Sequence, residues 1–186
     1  TQAEYQQCVD AGLCSPIDPA RCFVWSDGNF ARGTPLPEPL TRPDHPVVCV
    51  TWAQADNYCA VLGKHLPTEA EWERAAAGVD RRRFPWGDEQ PTCERAHFDG
   101  CGEHTRPVGR RPAGATPEGV QDLAGNVSEW VHDWYDRFQY TRPLRDDPTG
   151  PEYGRVRVIR GGSYYDNPAL LRAAYRYGLS PTSGLD

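Results

Sequence analysis

The 186-residue chain has no apolar run approaching the roughly 20 residues that a membrane-spanning helix requires, so no membrane partner is expected. Its first residues, TQAEYQQC, have neither the charged nor the apolar region of a signal peptide. Both ends break off inside patterned sequence, which reads as a chain trimmed at each end, so the missing export signal decides nothing. No run of Lys or Arg is longer than Arg81-Arg82-Arg83, and the formal net charge is -6 with a pI near 5.4. Without a basic face to neutralise phosphates, no nucleic acid is expected as a partner. There is no C-x-x-C pair of the kind found at zinc sites, no H-x-x-x-H spacing, and no cysteine after Cys101.

What is abundant points to turns, rings and cross-links. With 38% hydrophobic residues the chain can bury one core, and residues 1–186 are read as a single domain. The 18 Gly and 18 Pro, beside 11% aromatics, favour an irregular α+β domain with little regular secondary structure and a core built on Trp and Tyr. Seven cysteines (Cys8, Cys14, Cys22, Cys49, Cys59, Cys93, Cys101) read as disulfides, with buried free thiols as the competing reading. Cys93 and Cys101 flank a short loop they could staple, and the first four cluster in a segment too poor in core residues to hold itself. Seven is odd, so at least one lacks an internal partner. The cysteine count implies an extracytoplasmic or secreted protein.

Three segments read as helices. TQAEYQQCVDAG (1–12) has a Thr cap and a terminating Gly12, and in 51–63 Thr51 caps a helix that places Trp52, Ala55, Cys59 and Leu62 on one face. In PTEAEWERAAAG (67–78), Thr68 and Glu71 form a capping box and Gly78 suits a left-handed cap. The last two helices, joined by KHLP, should pack as neighbours. Residues 13–46 read mostly as loop, and HPVVCV (45–50) is a short β-branched run. RVRVI (155–159) is the clearest strand, Val156 and Val158 alternating with arginines, and Gly161-Gly162 marks a bend where backbone must come close to something.

HPVVCVTWAQADNYCAVLGKHLPTEAEWERAAAG, FPWGDE, GVQDLAGNVSEWVHDWY and VIRGGSYY, in this order and spacing, resemble the formylglycine-generating enzyme family, also called sulfatase-modifying factor domains. The likeness runs from about Tyr5 to Tyr177. It implies an irregular variant of the C-type lectin fold that binds calcium. The calcium ligands it implies are the side chains of Asp122 and Glu129 and the carbonyls of Gly125 and Val127. The residues themselves suit a hard cation, since two carboxylates cancel a divalent charge and a glycine lets carbonyls turn inward. The alternative is that Asp122 caps a turn and Glu129 is solvated. Asn126-Val127-Ser128 is a glycosylation sequon, set aside because the motif places Asn126 in a tight loop.

The resemblance also shows where catalysis fails. Enzymes of the family oxidise a substrate cysteine with copper held by two cysteines, whose positions here hold Asp166 and Leu171. A carboxylate is hard and leucine has no lone pair, so no copper is expected. Ser163 matches the family's active-site serine, but the nearest histidine along the chain is His132, and no catalytic residue is assigned. Iron-dependent relatives take histidines mostly from a separate helical domain, whereas this chain has only His45, His65, His97, His104 and His132.

In the enzymes the segment after GGS lines a peptide groove. Ser163, Tyr164, Tyr165, Asp166, Asn167, Tyr175 and Tyr177 are accordingly the expected ligand-binding residues, rigid rings among adaptable polar groups. The alternative is that these tyrosines are core. The same segment resembles variable proteins of diversity-generating retroelements, which bind ligands. The resemblance further pairs the Cys59 position with a cysteine in a tail beyond residue 186, leaving Cys59 unpaired here. The resulting expectation is a calcium-stabilised recognition or accessory module for a peptide or protein ligand, either whole or part of a larger multidomain protein. An oxidoreductase of the same fold with an atypical metal site and a retroelement variable protein stand as alternatives.

Overall fold

Thr1, Thr51 and Thr68 each start a helix for the same local reason. In the computed structural model, which describes residues 1–185 except 27, 33, 34, 142, 144 and 145, they cap α1 (Gln2–Asp10), α2 (Trp52–Val61) and α3 (Glu69–Ala77). Each threonine side chain accepts the N–H of the third helical residue, and Glu4, Gln54 and Glu71 reach back to the cap, satisfying two exposed helix-end donors reciprocally. Gly12, Gly63 and Gly78 follow the helix ends with φ of 73, 68 and 67°. Leu62 does not join the expected buried face: α2 ends one residue earlier and Leu62 is 51% exposed.

The expected loop over 13–46 is corrected by a hairpin of β1 (Cys22–Ser26) and β2 (Asn29–Arg32); residues 27, 33 and 34 of that stretch, like Asp186 at the end of the chain, lie outside the described residues. β1 also pairs in parallel with β6 (Gly184–Leu185), giving the order β2-β1-β6. HPVVCV forms no strand, because Cys49 takes a left-handed φ of 64° while disulfide-bonded to Cys22. A Cβ on Gly184 would stand 2.8 Å from the Cys49 carbonyl carbon, so glycine is what lets β6 reach β1 past this turn.

The second sheet is antiparallel, in the order β3-β4-β5, from β3 (Glu129–Trp134), β4 (Arg157–Arg160) and β5 (Tyr177–Leu179). Helices α2 and α3 share β3 as a common support. Trp72 and Ala76 of α3 close on Val131, Val158, Leu123 and Ala173 to make one core cluster. The core is less aromatic than expected. Trp72, Tyr5, Phe84 and Tyr164 are buried, but the other five tryptophans are half-buried, and two of them bridge distant segments through their N–H groups, Trp52 to the Val131 carbonyl and Trp130 to that of Val50.

The arginines of β4 do not face water, which corrects the simple alternation expected. Arg160 is fully buried and donates to Glu69 at 3.0 Å, Glu73 at 2.6 Å and the Ala173 carbonyl at 2.6 Å. Arg176 closes the same network on Glu69 at 2.6 Å. Arg157 lies between Trp52 and Trp134, 3.7 Å from each ring centroid. Three disulfides, Cys8–Cys14, Cys22–Cys49 and Cys93–Cys101, pair the first four cysteines among themselves and staple the expected loop, leaving Cys59 free.

Candidate functional site

Where β4 ends, Gly161 and Gly162 turn the chain inward with φ of 90 and 73°, and a Cβ on Gly162 would stand 2.9 Å from Leu171. The bend delivers Ser163 and Tyr164 to the interior, at 0% and 1% exposure. These two therefore do not supply the open surface expected of them. Ser163 donates its N–H and its hydroxyl to one carboxylate oxygen of Asp166, while burial raises the Asp166 carboxyl and these two hydrogen bonds oppose the rise. Leu171 is fully buried among Phe84, Ala96, Phe98 and Ala124. Copper does not fit: one position holds a hard carboxylate turned onto Ser163, and the other a buried aliphatic side chain.

Tyr165 stays half-buried and meets residues that sequence reasoning missed. Its ring lies 5.5 Å from Trp25 and 5.2 Å from Phe30, which are register partners across the β1–β2 hairpin with centroids 4.9 Å apart. Trp25, Tyr164 and Tyr165 line a cavity of about 370 Å³ together with Asp99, Glu103 and His104, whose ring lies 6.3 Å from that of Tyr164. The Cys93–Cys101 disulfide holds the loop that carries Asp99 and Gly100. Of the other expected ligand residues, Asn167 is exposed and caps the Pro168–Leu171 turn, while Tyr175 and Tyr177 lie outside this cavity, Tyr177 on β5 at 55% exposure. A larger concavity of about 1290 Å³, lined by residues 135–140 and 146–153 with Pro143, gathers none of the expected ligand-binding residues.

The loop expected to bind calcium lies directly beneath the GGS turn. The Gly125 N–H donates to the Gly161 carbonyl, and the Tyr164 N–H to that of Asn126. Asp122 and Asn126 take left-handed φ of 62 and 68°, which curls the loop. Burial pushes the Glu129 carboxyl up to about 7; the Trp72 indole N–H, 2.7 Å away, pulls it down, and the charge of Asp122 pushes it further up. Glu129 has no cationic partner among the described residues, whereas Asp122 accepts the Gly109 N–H at 2.6 Å and lies within the field of Arg111, so two carboxylates share the curled loop with only one of them compensated. That donor set fits a hard divalent cation. Asn126 is buried, with its amide accepting from the Arg106 N–H and donating to the Arg106 carbonyl, so the sequon is not open to glycosylation.

Two of the five histidines, His97 and His104, pack on the Tyr164 ring, and the other three lie apart from them. His97 is buried, with Nε2 donating to the His104 carbonyl at 2.7 Å, and burial lowers its imidazole to about 4, so the ring is neutral. His45 meets Thr105 at 2.8 Å, His65 faces Glu71, and His132 lies against Trp52. Among the described residues no three His, Cys, Asp or Glu side chains gather as a metal site. A site made partly of carbonyls falls outside that pattern.

A family model described as "Sulfatase-modifying factor enzyme 1-like domain" matches residues 1–185. The formylglycine-generating enzyme of Streptomyces coelicolor is 42% identical over 165 residues, covering 76% of this chain and 50% of that protein. The hercynine oxygenase of Mycolicibacterium smegmatis is 39% identical over 182 residues, covering 90% and 40%. Among solved structures, Treponema denticola variable protein 1 superposes with a TM-score of 0.68 at 25% identity, over 78% of this chain and 70% of that one. The chain spans between 22% and 50% of the length of the curated relatives it matches.

Proposed function

The chain belongs to the sulfatase-modifying factor enzyme 1-like domain family, and on that premise we propose that it is a non-catalytic recognition or accessory module for a peptide or protein ligand. One observation carries this reading. At the two places where the family's oxidases keep copper-binding cysteines, Asp166 is hydrogen-bonded onto Ser163 and Leu171 is buried in the core, while an aromatic cavity opens beside them at Tyr165. Soft-metal chemistry has no donors there, whereas rigid rings at the mouth of a preformed cavity are what recognition uses.

Calcium, held by Asp122 and Glu129 with the carbonyls of Gly125 and Val127, would fix the loop on which the GGS turn rests. It would act as a structural ion supporting the binding face. The three disulfides suit an oxidising, extracytoplasmic compartment.

Two relatives at 39% and 42% identity are named as enzymes, which favours as a second reading an oxidoreductase with an atypical metal arrangement. The likeness to a variable protein favours instead a ligand binder of the retroelement type. The deciding experiment is elemental analysis of the purified protein for copper and calcium, coupled to an assay of cysteine-peptide oxidation with added copper and oxygen. Calcium without copper, and no oxidised peptide, is the expected result. Stoichiometric copper with multiple turnovers would replace the recognition reading by the enzymatic one.

A further inference from the structure

The end of β3 away from the GGS turn carries a concavity that plays no part in the face at Tyr165. Glu129 pairs with Arg160 at the GGS end of the strand and Trp134 with Arg157 at the far end, beyond which residues 135–153 leave the sheet and line the concavity. Both of its walls are tied down. The Asp136 carboxylate accepts the Phe138 N–H at 2.8 Å and the Thr141 hydroxyl donates to the Phe138 carbonyl at 2.8 Å, which closes the first wall as a tight turn. Arg176, already paired with Glu69, donates to the Asp136 carbonyl and lies 5.0 Å from the Tyr135 ring and 4.8 Å from that of Tyr140. The second wall is fixed at Gly150, which packs so closely on buried Asp133 that a Cβ there would stand 2.7 Å from its carboxylate oxygen.

Four rings line this space, and three of them stay open to solvent: Phe138 is 52%, Tyr140 47% and Tyr153 83% exposed. Single exposed rings are ordinary, but rings gathered in one concavity mark a contact surface. No two of the four stack on each other among the described residues, so they stand apart and do not close a cage around one small cation. At about 1290 Å³ the space exceeds the usual range of small-molecule sites and has room for several residues of a chain.

The polar groups narrow the occupant. Asp146, Asp147 and Glu152 are exposed on the second wall and form no ion pair among the described residues, while Arg137 on the first wall is stacked on Phe138 at 4.9 Å. Counting Arg142 and Arg145, which lie outside the described residues, 135–153 still holds four acids against three arginines. An occupant must therefore lie flat on rings and bring cationic donors to the acidic wall. A polyproline II segment does the first, with its shape set before binding and its unpaired carbonyls able to accept from the Tyr153 hydroxyl. A lysine or arginine beside the prolines does the second.

We propose that this concavity is a second docking site, for a proline-rich segment of a partner protein that carries at least one lysine or arginine. The prolines lie on Phe138, Tyr140 and Tyr153, and the cation meets Asp146, Asp147 and Glu152. The six residues of β3, about 20 Å of strand, separate this site from the GGS turn, so the proposal does not rest on the recognition reading of that face.

The test titrates the whole chain with capped nonapeptides on one frame: proline-rich with two arginines, the same with both arginines replaced by glutamate, and the same with every proline replaced by alanine. A neutral oligosaccharide, cellotetraose, is the fourth probe. The readout is the NMR shift of the Gly150 amide and the Tyr153 ring, the latter assigned with Tyr153→Ala. The arginine and proline peptide should move both signals with a Kd below about 1 mM, and the other two peptides should bind at least about 10-fold more weakly. Tyr153→Ala and Asp146→Asn/Asp147→Asn should each weaken binding by a similar factor. All three side chains are exposed, and asparagine tolerates the left-handed φ of 45° at Asp147, so unshifted core signals should show these variants folded.

Equal binding of the glutamate or the alanine peptide, or unchanged affinity in both variants, would overturn the proposal. Shifts with cellotetraose and none with peptides would assign the concavity to a glycan and overturn it as well. No shift with any probe at millimolar concentration would remove the site altogether. The Trp25 and Tyr165 signals, read in the same spectra, report the other face separately, so its recognition reading stands or falls on its own.

Discussion

Ser163 gives both of its protons to a single oxygen of Asp166, the N–H at 2.9 Å and the hydroxyl at 2.8 Å. A serine committed in this way, with no exposed surface, fastens a turn, and the proposed recognition role asks no chemistry of it. Ser163→Ala is therefore expected to lower stability by about 1–2 kcal/mol, the cost of depriving a largely buried carboxylate of one donor. Thermal melting would register this as a drop of a few degrees. Ligand affinity below the transition should be unchanged.

Glu129 makes the loop beneath that turn sensitive to pH and to metal. Its folded-state carboxyl is raised from 4.5 to about 7, so without metal its stabilising contribution is complete below about 4.5 and is lost as pH rises through about 7. His97 has the opposite sign: lowered from 6.5 to about 4, it contributes above 6.5 and loses that contribution as pH falls through about 4. Chelated protein should thus melt at lower temperature at pH 8 than at pH 6, with the difference reduced in Glu129→Gln. Calcium needs the ionised carboxylate, so its stabilisation should grow over the same interval. Identical melting in excess calcium and excess chelator at pH 8, or undiminished calcium content in Asp122→Ala, would remove the calcium assignment.

The Arg160 network predicts a severe mutational cost. Arg160→Met fills similar volume but leaves buried Glu69 and half-buried Glu73 short of a partner. Loss of one member of a buried charge network costs about 3–5 kcal/mol. Urea denaturation should show a midpoint shift of that size, whereas a shift below about 1 kcal/mol would mean that Arg176 alone satisfies Glu69.

Cys59 is the free thiol, half-buried, with its pKa raised by burial. Native protein should alkylate slowly there, because the thiolate is the reactive form. Denatured, unreduced protein should take up one label, mapped to Cys59. A label at any other cysteine in place of Cys59 would contradict the disulfide pattern.

Much of this architecture was legible because it is local. Thr1, Thr51 and Thr68 with their acidic or amide partners three residues on, and Gly12, Gly63 and Gly78 past the ends, encode helix limits within single turns. The paired glycines after β4 announced a close approach, which the structure places against Leu171. The hairpin was also signalled, by Asp27-Gly28 between two ring-bearing runs, but the surrounding Pro- and Gly-rich sequence read as loop.

The cavity was not legible, because Trp25, Asp99 and Tyr165 meet only through tertiary contacts between distant segments. The burial of Arg160 was not legible for the same reason. The acids that neutralise Arg160 lie 91 and 87 residues away in α3, and no periodicity in RVRVI reports them.

The most direct test of recognition over catalysis at this face is the dissociation rate of one bound peptide measured on three proteins: the unaltered chain, Tyr165→Ala and Ser163→Ala. Removing the Tyr165 ring should cost about 1–3 kcal/mol, roughly 5- to 150-fold, appearing mainly as faster release, because the aromatic wall is already assembled with Trp25 and Phe30. Ser163→Ala should release the peptide at the unaltered rate. An unchanged rate in Tyr165→Ala, together with peptide turnover that Ser163→Ala abolishes, would contradict the binding role and restore a catalytic one.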